Sequence, residues 1–129
     1  HYTHEKNPVT ARAALATLDV IEKEGLIDRA DKLGTHTVNR LRDRLGTTPI
    51  VGDVRGRGLM FGVEIVSDRE ARAPAPEIAE RILYTCLSAG LSFKISAGNV
   101  LTLSPPLTIE NHDLDSALEI VERSIIEAT

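Results

Sequence analysis

The chain has 129 residues, 42% of them hydrophobic, and a formal net charge of −4, values that are typical of one ordinary globular domain. The negative balance gives no electrostatic reason to expect nucleic acid or an anionic membrane as a partner. Its apolar runs fall far short of the roughly 18 residues that a membrane-spanning helix needs, and no signal peptide is recognisable.

The cysteine content and the first residue suggest where the chain comes from. Cys86 is the only cysteine, so neither an intrachain disulfide nor a cysteine-based metal site can form, and we expect a reducing, cytoplasmic setting. The chain begins with His1 and not with methionine, in a segment without periodicity. We therefore expect that it was cut from, or processed out of, a longer protein.

The first part of the chain predicts two helices. Asn7 is the natural N-cap, Pro8 suits the first turn, and Gly25 ends the first helix. Its apolar side contains Ala11, Ala14, Leu15, Leu18 and Ile21. A second helix is predicted from Leu26 to Leu45, with an apolar stripe at Leu26, Ala30, Leu33, Thr37, Leu41 and Leu45. Gly34 inside it costs up to about 1 kcal/mol relative to alanine, which indicates either a packing position or an error in the predicted helix.

The period changes to that of a strand after the turn at residues 46–49. One face of this predicted strand carries Leu59, Phe61, Val63 and Ile65. Residues 50–54 predict a shorter strand before it, and Gly56 and Gly58 predict a bulge or bend between the two. Residues 67–76 are charged and contain prolines, so we expect an exposed loop there.

The remainder predicts a helix, a hairpin and a last helix. The third helix has an apolar face of Ile78, Ala79, Ile82, Leu83, Cys86 and Leu87 and ends at Gly90. Residues 91–95 and 100–103 flank Ser-Ala-Gly-Asn as a hairpin, and Pro105 and Pro106 end its second strand. The last helix starts at about Asn111 and buries Leu114, Ala117, Leu118, Val121 and Ile125. We predict an α+β fold in which a small three- to four-stranded, mostly antiparallel sheet is covered by helices and preceded by a long linking helix.

No catalytic or metal-binding constellation is recognisable from spacing alone. The four histidines lie on three separate segments, and only His1 and His4 are near each other, apart from His36 and His112, so we expect no metal site. Glu64 is expected on the solvent side of its strand. A strand and not a helix follows Gly58, which argues against a phosphate-binding loop, and Arg55 and Arg57 are predicted to be ion-pair or interface residues.

The candidate nucleophiles also lack a suitable context. Cys86 lies on an apolar helix stripe and is predicted to be an inert core thiol. A lysine that bonds covalently to a cofactor needs a lowered pKa and a pocket around it. None of Lys6, Lys23, Lys32 and Lys94 has such surroundings in the sequence, so we predict no catalytic residue in this chain.

Several short motifs nevertheless occur in an order and spacing that resemble a known family. They are the opening residues 1–8, Asp-Val-Ile-Glu at 19–22, the glycine-rich segment 52–60, Gly-Asn-Val-Leu at 98–101 and Pro-Pro-Leu-Thr-Ile at 105–109. Together they resemble the C-terminal part of a class III pyridoxal-phosphate-dependent aminotransferase, and the resemblance covers essentially the whole chain.

The resemblance implies a division of roles. Residues 1–25 would be the linking segment and helix of a missing N-terminal domain that holds pyridoxal 5′-phosphate and the catalytic lysine, and 26–129 would be the small C-terminal domain. Thr3 falls where the family has a threonine whose hydroxyl and backbone N–H reach the cofactor phosphate of the neighbouring subunit in a homodimer. The expected substrates are a small amine and a keto acid, and the chain alone is expected to be inactive.

One position departs from the family pattern. Many members have an arginine at the position of Thr102, where a guanidinium can clamp the substrate carboxylate, and threonine cannot do that. The amino donor stays open, as does the choice between a transaminase and a decarboxylase or aminomutase of the same structural family. An alternative is a free-standing α+β module that binds a partner without catalysis. An exposed apolar face on the first helix would favour the fragment over that module.

Overall fold

The computed structural model describes residues 6–129, within which it has four helices and four strands. In chain order these are α1 (Pro8–Lys23), α2 (Leu26–Leu45), β1 (Val51–Arg57), β2 (Met60–Ile65), α3 (Pro76–Ser88), β3 (Lys94–Ser96), β4 (Val100–Leu103) and α4 (Asn111–Glu127). The predicted α+β fold is confirmed, and so are the predicted bounds of α2. No helix in this part of the chain combines the length and apolar character needed to cross a bilayer.

The strands form one antiparallel sheet in the order β1-β2-β4-β3. A tight turn at Gly58 and Leu59 joins β1 to β2, and Gly58 has a φ of 54°, which favours glycine. Gly56 does not mark the predicted bend, because it pairs with Phe61 inside the ladder. Its small size serves packing: an added Cβ would lie 2.9 Å from a methyl group of Val38 on α2.

The core lies on one side of this sheet. Helices α2 and α3 contact the strands, and α4 packs beside both helices. The core is aliphatic apart from Phe61 and Cys86, as the low aromatic content predicts, and its most deeply buried members include Leu41, Leu45, Val63, Ile65, Ile82, Cys86, Leu101, Leu118, Val121 and Ile125. Since the helices share one face, the other face of the sheet has no cover among the described residues.

Gly34 explains how closely α2 approaches the sheet. It is buried, and a Cβ added to it would lie 1.9 Å from the carbonyl oxygen of Gly58. This helix therefore passes against the backbone of the β1–β2 turn with no room for a side chain. Of the two alternatives that the sequence left open, the packing position is the correct one.

Helix α1 stands apart from the core. Asn7 caps it as predicted, its side-chain oxygen accepting a hydrogen bond from the backbone N–H of Val9 at 2.9 Å. No residue of α1 is buried, and Leu15 and Leu18 on its apolar side are 54% and 56% exposed. Among the described elements α1 contacts only α2. Its apolar side is thus largely uncovered within residues 6–129.

Candidate functional site

We call the uncovered side of the sheet the open face. Strand alternation and register place the following residues on it: Asp53, Arg55, Arg57, Met60, Gly62, Glu64, Lys94, Ser96, Val100 and Thr102. Their chain neighbours, such as Val63 and Leu101, are fully buried on the core side. A packed core behind this face fixes the strand backbone, and with it the positions from which these side chains project.

The β1–β2 half of the open face contains an ion-pair cluster. The Arg55 guanidinium donates to Glu64 Oε2 at 2.7 Å and to Asp53 Oδ2 at 3.0 Å. These hydrogen bonds raise the pKa of Arg55, and the one to Glu64 has the larger effect. The predicted ion-pair role of Arg55 is confirmed, and Glu64 lies on the open face as predicted. Arg57 is exposed and forms no ion pair with another described residue.

The β3–β4 half has a different composition. Lys94 faces Thr102 across the strand pair, and the Thr102 hydroxyl donates to Ser96 Oγ at 3.0 Å. None of the ion pairs found between described residues includes Lys94. The β2 neighbour of Thr102 is Gly62, which has no side chain to cover it. This corner therefore offers an ammonium group and hydroxyl groups, and no described carboxylate neutralises the ammonium charge.

The segment after β4 is held in place by a residue that the sequence did not single out. Arg29 on α2 donates to the carbonyl oxygens of Leu107, at 2.6 Å, and of Ile109. Between this segment and α4 lies an apolar groove of about 490 Å³, whose lining includes Phe61, Phe93, Leu103, Pro105, Ile109 and Leu118. Lys94 and Thr102 also line this groove. No local pattern marks Arg29, because its partners lie about eighty residues further along the chain.

Asn99 has a structural role at the other end of β4. It is only 4% exposed, and its side-chain amide donates to the carbonyl oxygen of Ile65 at 2.8 Å. The backbone N–H of Ile65 donates in turn to the carbonyl oxygen of Asn99 at 2.8 Å. The Gly-Asn-Val-Leu motif thus fixes the β3–β4 hairpin to the end of β2.

The described residues do not form a pyridoxal-phosphate site by themselves. Lys6, Lys23, Lys32 and Lys94 are exposed, whereas a cofactor-bonding lysine needs an enclosing pocket. Thr3, the predicted phosphate-binding residue, lies outside the described residues, as do His1 and His4. Within 6–129 no three His, Cys, Asp or Glu side chains converge as a metal site would require. Cys86 is fully buried, and burial raises the pKa of its thiol.

The fold and the open face define a small α+β domain with a polar sheet surface and, within residues 6–129, no complete active site of its own. The chain belongs to the class III aminotransferases: the model of the family described as Aminotransferase class-III matches residues 2–125. The resemblance drawn from the short motifs is thereby confirmed.

The curated relatives of this chain have several different activities. It is 46% identical over 97% of its length to (R)-1-hydroxy-2-aminoethylphosphonate ammonia-lyase from Vibrio splendidus, of which it covers 26%. It is 43% identical to leucine/methionine racemase from Thermococcus litoralis, with 94% of this chain and 27% of the relative covered. For 4-aminobutyrate aminotransferase from Mycobacterium leprae the identity is 39%, with coverage of 91% and 26%. The chain therefore spans about a quarter of the length of these relatives.

Solved structures give the same picture. A transaminase obtained by ancestral reconstruction superposes with a TM-score of 0.91 at 32% identity, over 99% of this chain and 29% of that one. A phospholyase from Arthrobacter in complex with phosphoethanolamine superposes with a TM-score of 0.85 at 33% identity, over 92% of this chain and 29% of that one. In both, the counterpart of this chain is a minor part of a longer protein.

Proposed function

We propose that this chain is the C-terminal part of a pyridoxal-phosphate-dependent class III aminotransferase that moves an amino group between an amine or amino acid and a keto acid or aldehyde. The observation that carries the proposal is the match of nearly all of this chain to less than a third of a transaminase structure. The cofactor-bonding lysine would then lie in the remaining part of the protein. The chain alone would be inactive.

The described geometry supports a specific role for each region in this proposal. The uncovered apolar side of α1 would pack on the N-terminal, cofactor-binding part, so that residues 1–25 form the link and 26–129 the small domain. The open face would close over the substrate. Thr3 would contact the cofactor phosphate of the neighbouring subunit in a homodimer, since hydroxyl and amide donors suit a phosphate dianion. The buried thiol of Cys86 agrees with a reducing, cytoplasmic setting.

A comparison of the whole gene product with the isolated chain tests the proposal. We expect the whole protein to show cofactor absorbance and to convert an amine and a keto acid into the exchanged pair. We expect borohydride reduction of the isolated chain with pyridoxal phosphate to label no single lysine preferentially. Amino transfer by the isolated chain, or a whole protein that binds no cofactor, would contradict the proposal.

The free-standing binding module is the alternative that the sequence left open. The exposed apolar side of α1 disfavours it, because a self-sufficient module would bury Leu15 and Leu18. The intact mass of the native gene product separates the two. A mass several times 14.0 kDa agrees with the aminotransferase, whereas a mass near 14.0 kDa would support the module.

A second candidate function within the family is an ammonia-lyase that acts on an amine with a phosphonate or phosphate group. The observation that favours it is the β3–β4 corner, where Lys94 and hydroxyl groups stand without a described carboxylate, together with the 46% identity to an aminophosphonate ammonia-lyase. The products distinguish the two candidates. A lyase releases free ammonia without a keto-acid acceptor, and an aminotransferase needs the acceptor.

A further inference from the structure

We propose that Lys94, assisted by the hydroxyl groups of Ser96 and Thr102, binds the anionic end of the substrate, and that this end is a phosphonate or phosphate on a small primary amine. This inference rests on the proposed function, in which the open face closes over the substrate. It assigns a specificity-determining role to a lysine on the edge strand β3.

The register of the β3–β4 pair brings these groups together. Lys94 lies directly opposite Thr102, so their Cβ atoms are about 5 Å apart and their side chains emerge on the same face. Thr102 uses its hydroxyl hydrogen on Ser96 Oγ at 3.0 Å, which leaves the Ser96 hydroxyl hydrogen available to a ligand. Lys94 contributes an ammonium group, whose three N–H bonds are further donors. An anion at this corner would be met by two donors from β3, with the Thr102 hydroxyl on β4 orienting the Ser96 hydroxyl.

The other charged groups of the open face are committed elsewhere. Asp53 and Glu64 both accept hydrogen bonds from Arg55, so these carboxylates and that guanidinium neutralise one another. Arg57 lies on β1, at the opposite edge of the sheet from Lys94. Lys94 is thus the cation on this face that is both at the β3–β4 corner and unpaired with a described carboxylate.

The type of donor favours a tetrahedral anion over a carboxylate. A planar carboxylate is best bound by the paired N–H groups of a guanidinium, and this corner has none. An ammonium group with surrounding hydroxyl groups is a compact set of donors that can reach separate oxygens of a phosphonate or phosphate.

Substitutions in the full-length protein test the assignment, with methylphosphonate as the binding probe in calorimetry and 2-aminoethylphosphonate and butylamine as amine substrates. Lys94→Met should weaken methylphosphonate about tenfold to a hundredfold, the loss expected for a charge-assisted hydrogen bond. It should raise KM for 2-aminoethylphosphonate and leave the kinetics of butylamine unchanged. The matched control is Lys32→Met, which removes an exposed lysine on α2, outside the open face, and should preserve methylphosphonate affinity.

The outcomes separate this inference from the proposed function. Unchanged methylphosphonate affinity in Lys94→Met, or an equal loss in Lys32→Met, would overturn the inference even if the enzyme transfers amino groups. Loss of turnover with every amine in the wild-type protein would overturn the proposed function, while calorimetry would still decide the role of Lys94. A lysine that merely blocks edge-to-edge strand pairing would, when replaced, change self-association in sedimentation and leave anion affinity intact. That result also counts against the inference.

Discussion

Replacing Gly34 by alanine tests the close contact between α2 and the β1–β2 turn. The added Cβ would lie 1.9 Å from the carbonyl oxygen of Gly58 and 2.2 Å from its carbonyl carbon. Both are backbone atoms, so neither can move away by a change of rotamer. The helix or the turn must therefore shift, and with it the pairing that positions the open face.

The expected size of the effect is a balance of opposing contributions. At an uncrowded helix position, alanine would stabilise by up to about 1 kcal/mol relative to glycine. Overpacking in a close-packed interior costs about 1–3 kcal/mol, and a backbone obstacle favours the upper end. We expect Gly34→Ala to lower the free energy of unfolding by about 2 kcal/mol. At about 4 °C per kcal/mol for a chain of this size, Tm should fall by about 8 °C.

Urea unfolding followed by far-UV circular dichroism measures this change, with the slope m as the check that only stability has changed. Thr35→Ala is the matched control, because Thr35 is the exposed neighbour in the same helix and alanine there should stabilise by about 0.5 kcal/mol. If Gly34→Ala were as stable as the wild type, α2 would not pass against the turn as described.

Three further predictions concern the core and the hairpin. Glu122 is buried and accepts a hydrogen bond from Arg40 at 2.7 Å, so Glu122→Gln should lower the free energy of unfolding by about 1–3 kcal/mol. Asp115, the other carboxylate paired with Arg40, is exposed, so Asp115→Asn should lower it by at most about 1 kcal/mol. Chemical denaturation that gives equal losses for the two variants would contradict this. Cys86 should react with a disulfide reagent only in denaturant, because its raised pKa and burial disfavour thiolate at neutral pH; rapid labelling of the native chain would show an open core. Ala97 has a φ of 51°, so Ala97→Gly should raise the free energy of unfolding by about 0.5 kcal/mol through relieved strain and thereby raise Tm slightly; a lower Tm would refute that.

Local periodicity was sufficient to predict most of the elements. The bounds of α2 follow from an apolar stripe that repeats with the helical period, and the cap of α1 follows from Asn7 and Pro8. Glycine was the least reliable signal, because it has several physical uses. Gly58 supplies a positive φ, whereas Gly56 and Gly34 supply space, and the sequence does not distinguish these uses.

The candidate site was harder to predict because it depends on contacts between distant segments. Lys94 and Thr102 come together only through the β3–β4 register, and a strand order in which β4 lies between β2 and β3 gives Thr102 its glycine neighbour. Arg29 and its carbonyl partners, like Arg40 and Glu122, are separated by about eighty residues. No local pattern contains such pairs. The family motifs at 98–101 and 105–109 mark the hairpin and the proline segment, but they do not show which residues these segments contact.

In our proposal, Thr102 explains how the specificity of the open face can change without a change of fold. The residues on either side of it, Leu101 and Leu103, are 0% and 6% exposed, so the core fixes the backbone of β4 whatever side chain stands between them. The Thr102 hydroxyl contacts Ser96 and the Val100 carbonyl oxygen rather than any core residue. A position so constrained in backbone and so free in side chain can exchange an arginine for a threonine at little structural cost. In our proposal the cation then stands on the facing strand, at Lys94, and a receptor for carboxylate becomes a receptor for a tetrahedral anion.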